Sequence, residues 1–199
     1  MISILTGDII NSRNYNPQEW QTALKTILNK FGNEPTQWEI YRGDSFQTEV
    51  DVLKAFEAAL LIKASLKQLK GIDVRIAIGI GDKSYNAGKI TASNGSAFIN
   101  SGECFERLKK QKMALKSPSS EINEEMNLYI KLALLNLNKL SEKNAQLFIT
   151  KFENPLLNQY EIGELLGVEQ STISQRLRTI GFNEIKEINK RYMKLIKKI

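Results

Sequence analysis

A chain of 199 residues that is 42% apolar can bury a core of its own and could hold one or two domains. It has no histidine, which excludes serine–histidine and cysteine–histidine catalysis, histidine-bound zinc and a histidine base, and its single Cys104 cannot close an intrachain disulfide. It has no run of about 18 apolar residues and no signal-peptide pattern at its start; the expected address is cytoplasmic, and the net charge of +6 suits a polyanionic partner.

Residues 2–6 read as a short β-branched strand that runs into Gly7-Asp8-Ile9-Ile10. Asn16 and Pro17 then supply an N-cap and a first helical residue. Trp20, Ala23, Leu24, Ile27, Leu28 and Phe31 make one helical face, stopped by Gly32. Residues 36–42 and 45–50 are two strand-like runs about Gly43-Asp44, which predicts a hairpin. With the first strand beside that hairpin, Asp8 and Asp44 can share a hard cation such as Mg²⁺. Each follows a glycine, and Gly-Asp is also ordinary turn punctuation.

Asp51 can cap a second helix to about Leu69, with Leu53, Phe56, Ala59 and Leu60 facing inward. Ile72, Val74, Ile76, Ile78 and Ile80 alternate without a break and predict a strand. Its other face carries Asp73, Arg75, Ala77, Gly79 and Gly81, small enough beyond Arg75 to admit a ligand or another backbone. A loop over residues 82–93 leads into a third helix through Phe98, Cys104, Phe105 and Leu108. The order β-α-β-β-α-β predicts an α+β chain with a ferredoxin-like front half.

Arg107, Lys109, Lys110, Lys112 and Lys116 follow with no acid among them, a run that suits nucleic acid or makes a solvated face. The composition turns helix-rich after residues 117–120, which divides the chain into residues 1–117 and a helical part, 121–199. That part opens with an amphipathic helix over 126–140, and Ser141 caps another that ends before Asn154-Pro155. In residues 161–177, Gly163 lies four before a turn glycine, Gly167, with Leu166, Val168, Ile173 and Leu177 at buried spacing. The small residue permits a close helix crossing and the glycine a sharp turn, so residues 159–181 read as a helix-turn-helix. Its second helix presents Gln170, Ser171, Thr172 and Gln175 to base edges, and Arg176 and Arg178 to phosphates or guanine of double-stranded DNA. A plain helical hairpin, or a protein-binding domain on the same scaffold, is the other reading of the same pattern. A last amphipathic helix follows Gly181.

The succession Gly-Asp-Ile-Ile, Arg-Gly-Asp-Ser-Phe, Val-Arg-Ile-Ala-Ile-Gly-Ile-Gly and Gly-Ser-Ala-Phe-Ile-Asn resembles the catalytic domain of class III nucleotide cyclases. More closely, the chain resembles the SatD family of small bacterial proteins, over residues 1–110 and again in the helix-turn-helix. The resemblance implies that Asp8 and Asp44 are metal ligands with the Ile9 carbonyl. It also implies that Ile10, Asn11 and Ser12 line the phosphates of a nucleoside triphosphate, with Arg75 and Asn100 in the same nucleotide site. Two features depart from the cyclases. Ile40 stands where they carry a base-reading lysine, and Gly102-Glu103-Cys104 fills the place of their transition-state arginine, with Arg107 a turn too late. Loss of a cation at developing phosphate charge costs orders of magnitude in rate. The expectation is therefore a DNA-binding regulator whose front half senses a Mg²⁺-nucleotide, acting as a homodimer. The alternatives are a nucleotidyl cyclase or nucleotidyltransferase with an accessory helix-turn-helix, and an adaptor whose sheet only pairs the DNA-binding parts.

Overall fold

The computed structural model describes residues 1–199. In chain order the elements are β1 (Ile2–Ile10), α1 (Pro17–Leu28), β2 (Trp38–Tyr41), β3 (Ser45–Val50), α2 (Ala55–Lys67), β4 (Asp73–Gly81), α3 (Ser96–Arg107) and β5 (Met113–Lys116). Five helices follow: α4 (Ser120–Leu137), α5 (Glu142–Glu153), α6 (Gln159–Leu166), α7 (Gln170–Ile180) and α8 (Phe182–Ile196). The chain is α+β. Its sheet has the order β2-β3-β1-β4-β5, with β5 parallel to β4 and every other pair antiparallel.

Local chemistry accounts for most boundaries. The Asn16 side chain accepts from the Gln18 N–H with Pro17 at the first helical position, and α1 ends at Leu28, before Gly32. Asp51 accepts from Leu53 N–H and caps a 3₁₀ turn that leads into α2. The hairpin closes at the Tyr41–Ser45 pair; Arg42 and Gly43 both take positive φ, 51° and 88°.

Strand alternation sorts β1 between two layers. Leu5 and Ile9 join the main core with α1 and α2, while Ile4 packs with Ile90, Ala97 and Phe98 beneath α3. The β1 strand runs on to Ile10 instead of stopping at Thr6, because β4 pairs with it all the way from Ile2 to Ile10. Gly79 and Gly81 meet a second backbone. A Cβ on Gly79 would lie 2.2 Å from the Ser101 nitrogen and 2.3 Å from the Ala97 carbonyl oxygen, so α3 seats directly on the strand.

The basic run contains an element that its composition hides. Residues 113–116 form β5, with Met113 and Leu115 inward, and two of the lysines are used internally. Lys112 donates to Asp73 at 2.7 Å and Lys116 pairs with Glu103. The outer edge of β5 is closed by two asparagines one turn apart on α4. Asn127 accepts from Leu115 N–H and donates to Leu115 C=O, both at 2.8 Å. Asn123 does the same for Ser117, at 2.7 and 2.9 Å. They satisfy backbone groups that would otherwise be left open at a sheet edge. The main core continues unbroken from Leu5 across residues 117–120 to Ile196, and the Tyr192 hydroxyl donates to the Val52 carbonyl at 2.5 Å.

Within that core lies an ionic cluster. Lys63 has no solvent exposure and donates to Asp73 at 2.7 Å, while Asp73 also accepts from Val74 N–H and lies 4.0 Å from Lys67. Burial lowers the Lys63 ammonium to about 8, against the pull of Asp73 and with the help of Lys112 and Lys67. Burial pushes the Asp73 carboxyl up, but the Lys63 charge and the hydrogen bonds from Lys112, Lys63 and Val74 outweigh it and hold the group below its ordinary value.

Candidate functional site

At the C-terminal end of β1 the register sets Asp8 across from Arg75 on one side and Ser45 on the other. Both Asp8 and Arg75 lie on the α3 face of the sheet, since they share the alternation of Ile4 and Thr6. The Arg75 Nε–H donates to Asp8 Oδ1 at 2.9 Å and an Nη2–H donates to Oδ2, a two-point contact matched to the carboxylate plane. The Phe105 ring of α3 lies 5.3 Å from the guanidinium carbon. The hydrogen bonds that Arg75 donates to Asp8 raise its pKa, against burial, and the charges of Asp8 and Asp44 add to this. Arg75 therefore feels both carboxylates.

Asp44 is fixed from β1 and from the turn after it. Its carbonyl accepts from Ile9 N–H at 3.0 Å, and its Oδ2 accepts from the Ser12 hydroxyl at 2.5 Å. Tyr41 closes the group: burial raises its phenol, Arg42 opposes this, and the Asp8 charge adds to it. Asp8, Asp44, Ser12, Arg75 and Tyr41 thus come from three separate stretches to one end of the sheet. Arg75 apart, the side chains gathered there offer only oxygen atoms, the kind a hard divalent ion takes. Asp8 already has both oxygens on Arg75, so an ion shared with Asp44 requires Arg75 to release at least one of them. Asp44 is engaged through Oδ2 alone.

The remaining sequence-derived positions separate. Ile10 ends β1, and Asn11 takes a left-handed φ of 67° with its amide donating to Gly71 C=O at 2.9 Å. Ser12 is buried against Asp44. Ile9 is buried as a side chain and adjoins the site through its backbone. Asn100 does not join them. It donates to the Ile80 carbonyl at 2.8 Å, and Ile80 pairs with Ser3, five residues from Asp8 along β1 and about 17 Å away for an antiparallel strand. Ile40 packs against the main core, so its side chain does not face the site. The Asp8–Arg75–Phe105 stack is the feature that residue patterns do not disclose, because it depends on the β1–β4 register and on where α3 lands.

The second cluster of functional candidates lies on α6 and α7. Asn158 accepts from Tyr160 and Glu161 N–H while Glu161 reaches back to the Asn158 N–H, a reciprocal cap that starts α6. Gly167 ends it in the left-handed region at φ 63°. A Cβ on Gly163 would come within 2.5 Å of the Val168 carbonyl, so the chain turns back tightly over α6. Ile162, Ile173, Leu177 and Ile180 are buried, and Leu166 and Val168 pack on the same core. Gln170, Ser171, Gln175 and Arg178 are exposed; Thr172 and Arg176 are half-buried. No side chain caps the N-terminus of α7, whose first N–H groups remain available to a ligand.

A cavity of about 400 Å³ lies apart from both clusters, between α2, α5 and α8, over Leu61, Phe152 and Phe182. No helix is long and apolar enough to cross a membrane. No family model matches the chain, and no curated protein matches it.

Proposed function

We propose that this chain is a DNA-binding regulatory protein of the SatD kind, with α6 and α7 as its helix-turn-helix and a ferredoxin-like, cyclase-related front half working in the cytoplasm. The observation that carries the reading is the tight α6–α7 turn at Gly163 and Gly167. It buries Ile173 and Leu177 and leaves Gln170, Ser171 and Gln175 along the free N-terminal end of α7. In this reading those residues, with Thr172, meet base edges in the major groove, and Arg176 and Arg178 hold phosphates or guanine. The order β4-β1-β3-β2, antiparallel throughout, supports the ferredoxin-like assignment. Fluorescence anisotropy with duplex pools at two salt concentrations tests the DNA reading. Arg178→Ala should weaken binding across sequences and lower the salt slope by about 1. Absence of binding to every duplex at low salt refutes it.

The meeting of Asp8, Asp44, Ser12 and Arg75 favours a nucleotide-sensing role for the front half. Arg75 and the turn residues Ile10, Asn11 and Ser12 would hold phosphates, and Asp8, Asp44 and the Ile9 carbonyl would hold Mg²⁺, which supplies charge neutralisation there. A ligand raises the melting temperature of the state it binds. Thermal shift with ATP or GTP, with and without Mg²⁺, should show a metal-dependent rise that Asp44→Asn abolishes; an unchanged rise in that variant removes Asp44 from the site. The enzymatic alternative, a nucleotidyl cyclase or nucleotidyltransferase, is disfavoured by Ile40 facing the core and by Asn100 lying at the far end of the sheet. Product analysis after incubation with each triphosphate decides between sensor and enzyme.

A further inference from the structure

One helix of the back half carries an apolar face that nothing in the chain covers. Leu128, Leu132 and Leu135 of α4 are 56, 53 and 62% exposed, and their spacing of four and three residues aligns them in a single stripe. The opposite face of α4, with Met126, Ile130, Ala133 and Leu137, is buried in the main core, so the stripe is not an end that has merely frayed. Aligned apolar side chains at this exposure mark an interaction surface more than a scatter of single residues does.

The charges at its ends identify the occupant. Glu121 and Glu124 are exposed at the N-terminal end of the stripe, Lys131 at its middle beside Leu132, and Lys139 just beyond the C-terminal end of α4. Glu124 and Lys139 have no ion-pair partner inside the chain. A second α4 laid antiparallel about a two-fold axis between Lys131 and Leu132 sets Leu128 against Leu135 of the other copy. The same axis sets Glu124 against Lys139. One register therefore pairs the outer leucines and the end charges together, as an isologous contact demands, with Lys131 of each copy beside Leu132 of the other at the axis. A parallel pairing would place glutamate against glutamate and lysine against lysine.

We infer that the exposed face of α4 is a self-complementary surface through which two copies of this chain associate in antiparallel register. The inference stands independently of the DNA and nucleotide readings. For a reader of double-stranded DNA it would supply the two-fold symmetry that paired half-sites require. A single helix pair is smaller than a standard stable interface, so the association is concentration-dependent.

Sedimentation equilibrium over a concentration series tests it on the full chain. The wild type should move from 22.6 kDa towards twice that mass. Leu132→Asp should remain at the monomer mass while its circular dichroism melt is unchanged, since the residue is solvent-facing. Lys139→Glu breaks both symmetry-related charge pairs and introduces repulsion, which should raise the dissociation constant about tenfold. Adding Glu124→Lys to Lys139→Glu should restore the wild-type constant, an outcome that a merely structural role for either residue does not produce. A wild type that stays at 22.6 kDa throughout, a Leu132→Asp variant that associates normally, or a charge swap that fails to restore association each overturns the assignment.

Discussion

Replacing Asp73 with asparagine keeps the shape of the side chain and removes the charge around which Lys63 is buried. Lys63 has no exposure and cannot turn to water, whereas Lys112, 30% exposed, can. Leaving one member of a buried pair uncompensated costs roughly 3 kcal/mol or more, and the remaining amide oxygen offers a hydrogen bond but no charge. For a chain of this length that corresponds to a fall in melting temperature of about 6–12 °C. The loss has a characteristic pH dependence. Lys63 titrates at about 8 when folded against 10.5 ordinarily, so between those values the unfolded chain binds more protons and stability rises with pH. Without Asp73 the folded value drops further, because the attraction that resisted burial is gone. The penalty is then relieved from a lower pH, so the gap between variant and wild type narrows as pH rises towards about 8 and levels off once Lys63 is neutral in both. Urea unfolding between about pH 6 and about 9 measures this directly. A gap below about 1 kcal/mol at about pH 6, or one that does not narrow between about pH 6 and 8, refutes the reasoning.

Gly79→Ala puts a methyl within 2.3 Å of α3 backbone atoms, so the helix must shift, and unfolding should lose about 1–3 kcal/mol; no loss would mean that α3 does not seat on β4. Asn127→Ala leaves the Leu115 N–H and C=O without their partners, at a cost of about 1–3 kcal/mol by chemical denaturation. An unchanged midpoint would show that water replaces the amide at that edge. Burial pushes the Cys104 thiol up to about 11 despite Lys116 and Arg107 nearby, so a thiol reagent at neutral pH should label it only after unfolding. Rapid labelling of the folded protein contradicts that burial.

How far residue patterns reach can be read from particular elements. Alternation from Ile72 to Ile80 marks β4, and Asn16-Pro17, Ser141 and Gly167 mark helix boundaries, because caps and periodicity act within a few residues. The strand β5 escapes the same logic. It has four residues, sits among lysines, and owes its existence to β4 on one side and Asn127 on the other. Asp8 and Asp44 are legible as turn-adjacent carboxylates, but nothing local says that Asp8 meets Arg75, 67 residues away. Asn100 follows a recognisable pattern and still lies at the wrong end of the sheet, since the direction in which α3 crosses β4 is a packing outcome.

The sequence by itself determined the elements other than β5, their order, and the tight turn that shapes α6 and α7, all of which follow from the chemistry of near neighbours. Only the tertiary structure decided which strands pair in which register, which layer claims the glycine face of β4, and which side of α4 stays uncovered. Those depend on the joint burial of surfaces distant in the chain, and hydrophobic burial, having no direction of its own, leaves the choice to the fit of the whole core.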